Sequence, residues 1–509
     1  MENKATLRDI GNLIAKYRKS KGLTQSDLAS YLKTSQSAIA RMEKGEQNLT
    51  AQMISKISKI LGKNLLTLSE PSLNLKILGG YTLKGEVSVR SSRMSSLFLL
   101  YASLLNKNGT VQLKDLPKMP EVERSLDLFE ILGVKYTLKD FNNLNLQIPS
   151  IKSSLTIKKS TLSLDSLPIS AVLLFGALSG VTKTITLPLF KRPFALNPRF
   201  YVHKNALEQL GVVFKIKEDS ITADFKKIHS GEVFLSEFSN TATVNTLLIA
   251  SQLKGTTVIK KASMDYSVVD VCLFLKKLGV NIKGIGTPTL IVEGSNNISP
   301  KNIKYSPIPD PLEALFYISA SLITKSTLKI CNVPLSFLEP EISLLKEMGA
   351  NLKTKPISDK DYYKQGCIVV SPSTLKNVSY TLYPQVYPGI RYDSWPYLVS
   401  LFSVAEGPVL VNDWMSTERS YGFSELKKLG VDIFVADLHR FLIKGASFLR
   451  PAYIHCPLSL HPGDVFLLLM LGAKGESHLL GSFSVSRWSY ELISKLNALG
   501  AKITFVYDV

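Results

Sequence analysis

This chain of 509 residues lacks a long apolar run. The longest, Ala171–Val181 and Val465–Gly472, fall well short of the roughly 18 residues that a membrane span needs, so no membrane partner is expected. The first residues, MENKATLRDI, hold no apolar leader core, which leaves the cytoplasm as the expected location. Cysteine is scarce: Cys272, Cys331, Cys367 and Cys456 are far apart, with neither CxxC nor His–Cys ligand spacing. That spacing speaks against a zinc site and against a disulfide framework, and no metal or cofactor is expected. Glycine and proline, 30 and 24 residues, are too few for a disordered chain, and 45% hydrophobic residues suffice for a real core.

Acidic charge is also in short supply. Lys and Arg number 61 against 41 Asp and Glu, a net charge of +20. Residues 1–69 hold 12 of those cations and only 5 acids, which makes a strongly basic head on a mildly basic body. A basic head suggests a polyanion partner; a lysine-rich genome would raise the charge everywhere.

Within the head, Ile10, Leu13, Ile14 and Tyr17 make a helical stripe that ends at Lys21-Gly22. Thr24, with Asp27 three residues on, caps a helix running to about Leu32. Lys33-Thr34 is a tight turn, and Ser35 caps a second helix from Gln36 to about Lys44, stopped by Gly45. Thr50 caps a last helix with Met53, Ile54, Ile57 and Ile60 facing inward. The segment GLTQSDLASYLKTSQSAIARMEKG, Gly22 to Gly45, resembles the Cro/lambda-repressor-like helix-turn-helix family. The resemblance implies DNA binding through residues 1–66, with Gln36 and Ser37 meeting base edges and Gln25 and Arg41 holding phosphates. Lys33 stands where the family usually has a left-handed glycine, at a cost of about 1 kcal/mol. A helical docking module without DNA contact is the alternative. Heads of this class often work as dimers, so a homodimer is expected.

After the linker 67–73 the pattern changes. A helix closing on Leu-Gly-Val or a close variant recurs at Gly133, Gly211, Gly279, Gly349, Gly430 and Gly500, spaced by 68 to 81 residues. A second phrase, a turn before a β-branched strand, recurs in step at Gly109, Gly180, Gly255, Ser326, Gly407 and Gly475. The body is therefore six copies of a unit of about 70 residues with two helices and several strands.

The local sequence carries a second resemblance. LKILGGYTLKGEVSVRSSRMSSLFLLYASLL (75–105), PDPLEALFYISASLI (309–323), ERSYGFSELKKLGV (418–431) and SRWSYELISKLNALGAKI (486–503) resemble the UDP-N-acetylglucosamine enolpyruvyl transferases of peptidoglycan synthesis. The Lys-Glu-Ser-Asp-Arg run of the sister shikimate enzymes is missing. The implied fold class is α+β: a two-domain inverse α/β barrel of six βαβαββ repeats, preceded by an all-α helix-turn-helix domain. Residues 91–298 would form domain I and residues 74–90 plus 299–509 domain II, with a cleft between them.

The family reaction transfers the enolpyruvyl group of phosphoenolpyruvate to the 3-hydroxyl of UDP-N-acetylglucosamine and releases phosphate. It needs fixed cations, a base at the hydroxyl and an acid for the methylene carbon. Carried over, Asp310 takes the hydroxyl proton, unless it only shapes its Pro-Asp-Pro turn. Arg93 replaces the phosphoenolpyruvate-gripping lysine, and Met94 replaces an asparagine whose hydrogen bonds it cannot make. Arg199, Lys346 and His461 are further charges toward the anion, Asp393 lies near the cleft, and Ser239 survives from the uridine loop. Arg419 and Arg487 match arginines of later motifs and serve equally well as ion-pair formers. An arginine expected around Leu167–Leu174 is absent, and the mobile loop within Leu189–Pro198 has neither Cys nor Asp as proton donor. Three readings stand: a ligand-sensing transcription regulator with a degraded transferase site, an active transferase with an appended head, and a dimerising scaffold.

Overall fold

The computed structural model describes residues 7–20, 22–47, 49, 53, 56–57, 60–61, 74–117, 119–139, 142–151, 154–157, 169–188, 198–295, 298–360, 362–416, 419–457, 463–481 and 491–506. They form two compact units, one from the head and one spanning Asn74–Val506.

The head is built from local signals. Helix α1 spans Leu7–Ser20, α2 spans Gln25–Leu32 and α3 spans Gln36–Lys44. Thr24 caps α2 in a reciprocal box with Asp27, and Ser35 caps α3 through the Ala38 amide. Lys33 closes α2 at φ 54°, the left-handed turn that a glycine would fill without strain. Ile14, Leu28, Ile39, Met42, Ile57 and Leu61 form the core. Thr50 and Ile54, expected in the last helix, lie outside the described residues.

The body repeats one plan six times. A central helix is followed by a strand, then an outer helix, then an antiparallel strand pair, which in the sixth copy Lys502–Val506 makes with Asn74–Gly79. The central helices are apolar nearly all round because they are buried on every side: Arg93–Ser103 and Asn240–Ala250 in one lobe, Pro311–Ile323, Trp395–Val404 and Asp464–Gly472 in the other. The six Leu-Gly-Val glycines all have positive φ, from 80° at Gly133 to 105° at Gly500, because each ends its helix in a left-handed residue.

Among the described residues six sheets wrap these helices, five of four strands and one of three. The three-stranded sheet consists of Val409–Asn412, Arg440–Ile443 and Ile433–Val435. One core unites residues 97–305 and a second unites residues 75–89 with 312–503. The strand Asn74–Gly79 pairs with Gly475–Leu480 and Lys502–Val506, and Lys84–Ser88 lies parallel to Thr327–Pro334. The first lobe is thus an insertion within the second. Asn302–Tyr305 pairs with Thr110–Leu113, so these residues, expected in domain II, sit in the first lobe's sheet.

The expected absence of a disulfide is corrected. Cys331 and Cys367 are bonded, although 36 residues separate them. Their strands, Thr327–Pro334 and Tyr363–Ser371, are antiparallel neighbours, and the Cα atoms lie 4.1 Å apart. Sequence separation gives no hint of that pairing. Among the described residues no helix is long and apolar enough to cross a membrane.

Candidate functional site

The exposed surface of α3 starts with Gln36 and Ser37. Gln36 is held in place: its Nε2 donates to Gln25 Oε1 at 2.7 Å, and Gln25 Nε2 donates to Glu43 Oε2 at 2.8 Å. Glu43 is buried against Arg18, which reaches it through Nε at 2.5 Å and Nη2 at 3.1 Å. Gln25, expected on a phosphate, therefore acts first as the strut beneath Gln36. The Ser37 hydroxyl lies 3.0 Å from that of Ser35, and Arg41 is exposed on the same helix. The Arg18–Glu43 pair escaped the sequence reading; the Glu-x-Gly ending of α3 is the trace it leaves.

In the body, the chain crosses between lobes at Arg90–Ser92, where Ser91 bridges Pro309 and Asp310 N donates to Arg90 O at 2.7 Å. This crossing brings together the N-termini of Arg93–Ser103 and Pro311–Ile323, whose positive ends favour anions. Asp310 caps the second of these helices. Its Oδ1 accepts from Leu312 N at 2.9 Å and Glu313 N at 3.4 Å, and its Oδ2 from Arg93 N at 3.4 Å. Burial, with the neighbouring Glu313 carboxylate, pushes it up to about 7. The residue expected to accept the hydroxyl proton thus has its oxygens directed at backbone amides.

Asp393 differs: it is exposed to solvent, though protein packs around it. Desolvation by that packing, with Asp265, raises its pKa, while Arg419, Arg391 and Arg93 pull it down. Those three arginines are close enough for their fields to act on one carboxylate, yet each has a partner of its own. Arg93 Nη2 meets Glu121 at 2.8 Å, Arg391 meets Glu341 at 3.3 Å and Arg419 Nε meets Asp413 at 2.7 Å. Arg391 is only 7% exposed and lies over the rings of Tyr266 and Tyr387. Its Nε and Nη1, with Arg419 Nη2 and Arg93 Nε, have no hydrogen-bond partner among the described residues. Buried guanidinium donors without acceptors are a standing demand for an anion.

Arg391 was missed in the sequence; its one signal is its place two residues before Asp393. Arg419 is the ion-pair former that one of its two readings foresaw. Met94 packs against the first lobe's core. Lys346 is exposed in the last turn of Glu339–Glu347, roughly 140° around the helix from Glu341 and its partner Arg391, so it is not brought to the cluster. Ser239 caps Asn240–Ala250 by accepting from Ala242 N at 3.3 Å. Beside it, the buried His203 contacts Thr241 Oγ1 at 3.1 Å, and burial lowers its pKa to about 4. Arg199 begins the helix Pro198–Glu208, but its side chain lies outside the described residues, as do His461, Arg487 and the loop 189–197. Among the described residues no cluster of His, Cys, Asp or Glu is arranged to hold a metal ion.

A helix-turn-helix domain joined to a two-lobed inverse α/β barrel, with arginines and carboxylates at the lobe junction, defines an enolpyruvyl transferase-type protein with an extra head. The chain belongs to the EPSP synthase (3-phosphoshikimate 1-carboxyvinyltransferase) family, whose model matches residues 77–465, and a helix-turn-helix family model matches residues 14–68. Among curated relatives, UDP-N-acetylglucosamine 1-carboxyvinyltransferase of Finegoldia magna is 28% identical over 437 residues, covering 84% of this chain and 98% of that one. The second such enzyme of Caldanaerobacter subterraneus subsp. tengcongensis is 29% identical over 434 residues, covering 84% and 98%. The enolpyruvyl transferase NikO from Streptomyces tendae superposes with a TM-score of 0.72 at 20% identity, covering 86% of this chain and 99% of that one. EPSP synthase from Acinetobacter baumannii gives 0.69 at 16%, covering 86% and 100%.

Proposed function

We propose that this chain is a DNA-binding regulator whose transferase-type body recognises an anionic ligand of the nucleotide-sugar class. UDP-N-acetylglucosamine and phosphoenolpyruvate are the compounds to try first. The observation that carries the reading is the arginine set itself. Arg391 and Arg419 keep buried donors without a partner among the described residues, which supports anion recognition, while each cation is already neutralised by a carboxylate of the chain. An internally neutralised cation stabilises a developing negative charge less than a free one. In the head, Gln36 keeps one amide hydrogen and its oxygen available, the pair that a bidentate contact with adenine uses.

A second reading, turnover, is favoured by Asp393, the exposed aspartate beside three arginines. In that reading Asp393 rather than Asp310 takes the hydroxyl proton. One experiment separates the two: thermal shift, phosphate release and product mass, with phosphoenolpyruvate and UDP-N-acetylglucosamine, on the full chain and on Asp393→Asn. Regulation predicts a ligand-dependent rise in melting temperature without product, since a ligand held only by the folded state stabilises it. Steady product that vanishes in Asp393→Asn establishes the enzyme and overturns the sensor reading.

A further inference from the structure

Each sheet of the body buries one face on the central helices and turns the other outward, so side chains alternate between core and solvent. In five of the six sheets the central outward row carries charge: Lys304, Lys215, Glu232, Lys329 and Lys76 each stand in one. The three-stranded sheet differs. Its central row is Leu410, Leu442 and Phe434, paired directly across the strands. Phe434 is 61% exposed and Leu410 38%, while Val411, Phe441 and Ile443 on the inner face are buried.

The apolar surface continues past the sheet. Leu382 bridges Val411 in parallel, which turns the exposed Tyr383 to the outer side, beside Asn412 and one step along the strand from Leu410. Trp414, 56% exposed, is tethered there by Nε1 donating to Pro384 O at 2.9 Å. An exposed apolar patch with fixed aromatic side chains marks an interaction surface.

We propose that this face is the contact between two copies of the chain, packed sheet on sheet about a two-fold axis. Charge argues for a second copy. Two chains of net charge +20 repel one another over most of their surface, so a self-contact needs locally balanced charge. The rim supplies it as two opposite pairs, Lys444–Asp432 at 2.8 Å and Arg440–Asp437 at 2.6 Å. A two-fold axis sets each acid of one copy opposite a base of the other, and an apolar row is complementary to itself. A basic patch would fit a polyanion, and a rim of one sign an oppositely charged protein; neither is present here.

The test is the mass of the full chain in solution at micromolar concentration, by sedimentation or light scattering, for wild type, Phe434→Glu and Thr222→Glu. Thr222 occupies the equivalent outward row of another sheet and controls for added charge. The expected result is twice 56.3 kDa for wild type and Thr222→Glu, with Phe434→Glu dissociating at least tenfold more readily. Circular dichroism and the melting profile establish that the variant is folded. Leu410→Ser, which adds no charge, is a second disrupting variant if Phe434→Glu fails to fold. A monomeric wild type, or a dimer that a folded variant leaves intact, overturns the proposal. A monomer would point to another protein, or the chain's own head, as the cover of this face.

Discussion

A glutamine amide recognises adenine only when its donor and acceptor are aimed together, and free glutamine side chains rotate. Gln25, Glu43 and Arg18 stop that rotation at Gln36. Gln36→Ala is therefore expected to weaken binding to a selected adenine-containing site by about 1–3 kcal/mol, read by fluorescence anisotropy. Gln25→Ala, which touches no base, should lose discrimination between adenine and other bases more than overall affinity. Two buried groups give opposite pH signatures. Asp464 accepts from the Tyr397 hydroxyl at 3.0 Å, and burial raises its pKa to about 7. Between about pH 4 and pH 7 the folded state keeps a proton that the unfolded chain releases, so this group lowers stability as pH rises through that window. His203, lowered to about 4, does the reverse: the unfolded chain binds the extra proton, and stability rises from about pH 4 to pH 6.5. Melting temperatures of Asp464→Asn at pH 5 and pH 8 should lie closer together than those of wild type, apart from any uniform offset.

Helices and strands were legible wherever the signal was local. Thr24, Lys33, Ser35 and Gly45 bound α2 and α3 as the sequence implies, because a cap or a left-handed turn depends on residues within one helical turn. The sixfold glycine phrase gave the body's plan for the same reason. The cleft was less legible. Arg391 finds Glu341 50 residues away, Arg93 finds Glu121 28 away, and Cys331 finds Cys367 on a neighbouring strand that is not next to it in sequence, partnerships that no spacing announces. Asp310 shows the turn-shaping role that was its alternative reading, because capping and proton transfer draw on the same short acid. Asp310→Ala should remove a helix cap, at about 0.5–2 kcal/mol by denaturant unfolding. Lys33→Gly should gain up to about 1 kcal/mol in the head by relieving a left-handed lysine.

At the scale of the whole molecule, head and body are separate compact units, and two-state unfolding is not expected of such a chain. Calorimetry should resolve two transitions. Ligand in the cleft should move the body's transition alone, and DNA the head's. A ligand that also moves the head's transition would reveal coupling between them, a free energy that must act equally in both directions.

The insertion of one lobe into the other has a consequence during synthesis. Asn74–Gly79 leaves the ribosome long before its neighbour Lys502–Val506 is made. The head and the inserted lobe, residues 97–305, have all their own contacts by then, while the strand that follows the head still has one edge unpaired. A message cut short before residue 502 would therefore yield a finished head tethered to a bare strand edge, the kind of edge on which chains aggregate.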